Sequence, residues 1–138
     1  MENHRDITKD NQWGIFHKIH SLSNLSHGIR LQSLSAIERF DVEIESCVID
    51  FRCILEEIVN RIFNEITYRS QKEKTLSEKI YFLFNEKIIS KRVRNIMINL
   101  KNWGNRSVHK YEVDENIISD AYLKDFFELL DYANINMK

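Results

Sequence analysis

Residues 37–66 read IERFDVEIESCVIDFRCILEEIVNRIFNEI. Apolar side chains return at Ile37, Phe40, Ile44, Cys47 or Val48, Phe51, Leu55, Ile58, Ile62 and Ile66, at spacings of three and four. That is the stripe of an amphipathic helix, sustained for about eight turns. Strict alternation is absent, so a β-strand does not fit. Ser35, with Glu38 three residues on, predicts a capping box at the start. The end is expected near 69–72.

Outward from this helix the same logic finds three more. Thr75-Leu-Ser-Glu78 is a second capping box and opens a helix through about Glu86, with Leu76, Ile80, Leu83 and Phe84 inward. Ser90 caps a third, whose inner face is Val93, Ile96, Met97 and Leu100. Gly104-Asn105 reads as its interruption, because glycine permits backbone geometries that end a helix. The fourth runs from about Asn116 to Ala133, with Ile118, Tyr122, Phe126, Leu129 and Tyr132 or Ala133 inward. The expectation is an all-α fold, an antiparallel four-helix bundle over residues 35–138. Residues 1–34 hold His4, His17, His20 and His27 and a Ser/Asn-rich stretch. They are expected to form an N-terminal arm, with a short helix from about Asn11 to Ile19 carrying Trp13, Phe16 and Ile19 or His20 on one side.

Composition agrees with helices. At 138 residues the chain is one domain of ordinary size, and 43% hydrophobic with 30% charged residues is a globular balance. There is no proline and there are three glycines, which favours long helices with few turns. Cys47 and Cys53, six residues apart on one helix, are separated by about 9 Å of rise, beyond disulfide reach. Both are expected to be small buried apolar groups in a reducing, cytoplasmic setting. The polar start lacks the apolar core of a signal peptide, and no apolar run approaches the ~20 residues a membrane span needs. His17-x-x-His20, with His27 beyond, lacks the cysteine or carboxylate of a recognised metal spacing. Phosphate-binding glycine loops and the nucleophile-elbow motif are absent, so no metal and no cofactor is implied.

Net charge is −1 but unevenly spread. Residues 87–110 carry seven Lys/Arg (Lys87, Lys91, Arg92, Arg94, Lys101, Arg106, Lys110) and no acid, whereas 112–131 carry seven acids against Lys124. A basic block in a near-neutral chain is either a local anion-binding face or a solvated face paired with acidic neighbours.

The pattern concentrates chemistry in Gly104-Asn105-Arg106-Ser107-Val108-His109-Lys110-Tyr111, between two helices. His109 serves either as an acid/base near neutral pH or as a hydrogen-bonding closure of the bundle. Asn105 either binds phosphate or caps a turn. Arg52 and Glu56, four apart on the long helix, form an intrahelical pair by default, or Arg52 holds the 105–109 segment. Trp103 and Tyr111 are either core edge or base-stacking platforms.

The long helix, two shorter helices, the Asn-x-x-x-His-x-Tyr element and the closing helix resemble the HEPN superfamily of small helical nucleases and nucleotide-binding domains, over about residues 40–133. Asn105, His109 and Tyr111 fall in register with its motif; the position of its arginine is Gly104. The Gly-Asn-x-x-x-His form, preceded by Leu100-Lys101 and by Arg52 and Glu56, is similar to the HEPN-like domain of unknown function found fused to restriction endonucleases and other prokaryotic defence proteins. The resemblance implies a homodimer whose interface builds the site. It implies metal-independent RNA cleavage, with His109 as acid/base and Asn105 orienting it or binding phosphate. Lys101, Arg106, Lys110, Tyr111, Arg92 and Arg94 would contact RNA or nucleotide. With Gly104 in place of the transition-state cation, the implied catalysis is weak or absent, because losing one such cation costs orders of magnitude in rate. Arg106 would point about 200° away from position 104 on a helix. The leading expectation is therefore a dimeric RNA- or nucleotide-contacting module of a defence or toxin-type system. An endoribonuclease using His109 and an adaptor for a larger defence effector protein are the alternatives.

Overall fold

The computed structural model describes residues 4–40, 42–66, 74–108 and 115–137. Among them it is all helical. The elements are α1 (His4–His20), α2 (His27–Glu38), α3 (Ile44–Ile66), α4 (Leu76–Asn85), α5 (Lys91–Val108) and α6 (Glu115–Asn136). No helix among the described residues is long and apolar enough to cross a membrane.

The helices from α3 onward bury most of the predicted inward residues; Leu76, Phe84 and Val93 are half-buried against the core, and the Ile118 side chain lies outside the described part. Phe51, Leu55, Ile58, Ile62, Ile80, Leu83, Ile96, Met97, Leu100, Tyr122, Phe126, Leu129 and Ala133 are all buried. The Thr75 box forms: its hydroxyl accepts from the Glu78 N–H at 3.2 Å, and the Glu78 carboxylate accepts from the Thr75 N–H at 3.4 Å. α3 packs along α5, α4 lies on both, and α6 lies along α5. Lys87, just past α4, has φ 61°, the left-handed step that usually selects glycine after a helix.

The stripe from Ile37 to Ile66 is not one helix. α2 ends at Glu38, the chain turns, and α3 begins at Ile44. Arg39 makes the corner: its Nε donates to the Ser35 carbonyl at 3.2 Å and its guanidinium donates to Ser46 Oγ at 3.0 Å and to the Asp50 carboxylate. The turn leaves Val42 81% exposed while Phe40 folds inward, its ring 6.0 Å from that of Phe51. Spacing could not reveal the break, because Ile37, Phe40, Ile44 and Cys47 meet one core from both sides of the corner. Ser35 accordingly lies inside α2 and caps nothing; the α2 cap is Ser26, whose Oγ accepts from the Ile29 N–H.

Residues 4–38 are more regular than expected. The short helix foreseen at 11–19 extends from His4 to His20, and a second helix starts at His27. Ile19, Leu22, Leu25 and Ile29 are buried in the same core as α3 and α6. Gln12 Nε2 donates to the Ile37 carbonyl at 2.7 Å, and the Asn24 N–H donates to Asn134 Oδ1 at 2.8 Å. Trp13 is 42% exposed and meets Phe16 edge to face, on the same side as expected.

Two further expectations change. Gly104 does not interrupt α5, which continues to Val108. One glycine inside a helix costs only about 1 kcal/mol relative to alanine, less than the packing of the preceding turns supplies. Cys47 is buried, with its thiol 2.9 Å from the Ala36 carbonyl, but Cys53 faces solvent. Partial burial, then Glu56 and Asp50, push the Cys53 thiol above its ordinary pKa, so it is less nucleophilic than an ordinary surface cysteine.

Candidate functional site

α5 is the scaffold of the basic block. Ser90 Oγ accepts from the Val93 N–H at 3.2 Å and starts the helix. Ile96, Met97 and Leu100 are buried, which fixes the rotation of α5 and turns Lys91, Asn95 and Asn102 outward. Arg92 and Arg94, two residues apart, are then about 200° apart around the axis. The structure thus divides a run of charge that looked continuous into two flanks.

One flank faces α6. The Arg92 guanidinium donates to Glu128 Oε1 at 2.6 Å. Asn99 lies beside Asp125, and the carboxyl of Asp125 is held above the usual aspartate range, first by burial and then by Glu128. Asn99, Lys124 and Arg92 oppose that rise without cancelling it. Between the helices runs a groove of about 590 Å³ lined by Lys91, Arg92, Asn95, Asn99, Lys124, Asp125 and Glu128 over Ile96 and Ala121. Its lining sets two carboxylates, Asp125 and Glu128, among three cations, so any attraction for an anion is largely offset.

The raised pKa of Asp125 sets a pH dependence. The folded state holds the proton more tightly than the unfolded chain does. The stabilisation from this group is therefore complete below the ordinary aspartate pKa of about 3.9 and is lost as pH rises through the higher folded value. Asp125→Asn should be more stable than the parent at pH 7, and the gap should close as pH falls below about 4. Urea denaturation at both pH values measures it.

The other flank faces α4. The Arg94 guanidinium stacks over the Phe84 ring at 4.3 Å to the centroid and donates to Asn95 Oδ1 at 3.0 Å. Lys101 Nζ donates to Ser77 Oγ at 2.5 Å. Tyr81, between Ser77 and Phe84 on α4, is 47% exposed. Ion pairs among the described residues involve Arg39, Arg52, Arg61 and Arg92, so Lys87, Lys91, Arg94 and Lys101 have no carboxylate within 4.0 Å there.

The remaining sequence candidates separate as follows. Arg52 meets Glu56 at 3.6 Å along α3, the intrahelical pair expected by default, and its Nε is sealed from solvent with no acceptor among the described residues. Asn105 and Arg106 lie on the last turns of α5; the side chains of residues 103–108 are outside the described part. His109, Lys110 and Tyr111 lie outside the described residues. Sequence reasoning missed Asn99, Asp125 and Glu128, which meet only across two helices. It also missed Tyr81, whose signal is its place between Ser77 and Phe84, four residues after one and three before the other.

The family described as a domain of unknown function, DUF4145, matches residues 35–134. No curated protein and no solved structure matches the chain. The matched span runs from inside α2 to the end region of α6 and includes α5 with both of its flanks. With more than half its length matched, the chain belongs to the DUF4145 family.

Proposed function

We propose that the protein is a homodimeric HEPN-like module of a prokaryotic defence or toxin-type system that contacts RNA or a nucleotide through the basic face of residues 87–110, with weak or no catalysis. The observation that carries this reading is the unneutralised charge on α5 and in the turn before it. Lys87, Lys91, Arg94 and Lys101 have no carboxylate partner among the described residues. In a chain of net charge −1, four cations of one basic run without a carboxylate partner among the described residues give that run a local field for polyanions. That helix also leads directly into Asn105 and His109.

A single preparation tests the components separately. Sedimentation at tens of micromolar should give a dimer; a strict monomer counts against the HEPN-like assembly. Binding of labelled single-stranded RNA in EDTA should weaken steeply as salt rises, because phosphate contacts release counterions. Binding that is absent at low salt leaves the adaptor as the better reading. Cleavage in EDTA that His109→Ala abolishes would instead make the protein a ribonuclease.

A further inference from the structure

Chemistry on the α4 side of α5 is more specific than a positive patch. Ser77, Tyr81 and Phe84 recur at four and three along α4 and so share one face. Arg94, Ile98 and Lys101 recur at four and three along α5 and share another. Two contacts join these faces: Arg94 on Phe84 at one end, Lys101 on Ser77 at the other. The helices are antiparallel here, since residue numbers rise along one as they fall along the other. Tyr81 therefore sits between the two cations along the seam, and it is 47% exposed.

We propose that this seam binds single-stranded RNA, with one base stacked on Tyr81 and flanking phosphates held by Arg94 and Lys101. The inference rests on the RNA-contact reading above and adds the strand form, the path and the stacking residue. Three observations carry it. First, an exposed aromatic ring between cations is the arrangement that grips a single strand without reading its sequence. Second, both cations are pre-oriented by neutral partners, Phe84 and Ser77, and no carboxylate competes with a phosphate for them among the described residues. Third, Arg94 and Lys101 are seven residues apart, about 10 Å along the axis, which leaves room for a stacked base between them. The α6 flank lacks these properties: Arg92 is engaged by Glu128, and Asp125 stands beside it.

The test uses the full chain and a fluorescently labelled oligouridylate in EDTA. Tyr81→Ala should weaken binding roughly five- to 150-fold, the range measured for removing one base stack, while Tyr81→Phe keeps parental affinity. Arg94→Gln and Lys101→Gln should each lower the slope of log affinity against log salt by about 0.7, the value for one lost phosphate contact on a single strand. Lys124→Gln, on the α6 side, should change neither. A duplex of the same length should compete poorly, because its bases are not free to stack. Thermal melts of each variant confirm folding; Tyr81 is a surface residue, so its variants should melt with the parent. Parental affinity in Tyr81→Ala, with RNA still bound by the parent in a salt-dependent way, would overturn the seam and leave the RNA-contact reading standing. No RNA binding by the parent at low salt would overturn both.

Discussion

Phe51→Ala is expected to destabilise the protein by about 3–5 kcal/mol, the range for removing a buried aromatic ring. Phe51 is fully buried, stacks on Phe126 at 3.9 Å between centroids and lies 6.0 Å from Phe40. These three rings come from α3, α6 and the corner after α2, so the ring fills space that no single neighbour can collapse into. Aromatic pairs add about 0.5–1.5 kcal/mol beyond their buried area. Set against total stabilities of about 5–15 kcal/mol, the loss is a large fraction of what holds the fold. Urea denaturation should show a lower midpoint with a similar slope. A loss under about 1 kcal/mol would mean that Phe51 is not at the centre of the core.

Removing residues 1–25, which leaves the Ser26 cap of α2 in place, should abolish cooperative folding. The deletion strips Ile19, Leu22 and Leu25 from the core. At about 1.5–3 kcal/mol for each fully buried aliphatic side chain, the loss sums to roughly 5–9 kcal/mol, an upper bound because denatured chains are partly compact. That is comparable with the whole stability of a domain this size. It also uncovers the face of α6 on which α1 packs, where Lys18 lies 5.6 Å over the Phe127 ring. The shortened chain should lose its sigmoidal melt and bind a hydrophobic dye. A sharp melt within a few degrees of the full chain would make the segment a detachable arm instead.

The helical reading was accessible because a 3.6-residue period needs only one chain to be seen. The stripes of α3, α5 and α6 and the Thr75–Glu78 box are local properties, and they hold. Spacing cannot report a corner that returns the chain to the same core, so Arg39 and its contacts to Ser35, Ser46 and Asp50 were invisible within the run from Ile37 to Ile66. Likewise Leu22 and Leu25 stand in a Ser/Asn-rich stretch with a weak local pattern, and Ile29 just after it. Their burial depends on α6 and α3 being there to cover them.

The candidate site divides along the same line. The basic run of 87–110, the acidic run of 112–131 and the Asn105-x-x-x-His109 spacing are written in the order of residues alone. Which cations remain unneutralised is not, because a charge is neutralised by what lies across a helix interface, often tens of residues away. Arg92 meets Glu128, 36 positions on, whereas Arg94, on the opposite side of the same helix, meets an aromatic ring. Residue order alone was enough to show that the chain is helical and where its charge is concentrated. The rotation of α5 came from the packed bundle, since burial of Ile96, Met97 and Leu100 sets that angle and with it the directions of Lys91, Arg92, Arg94 and Lys101.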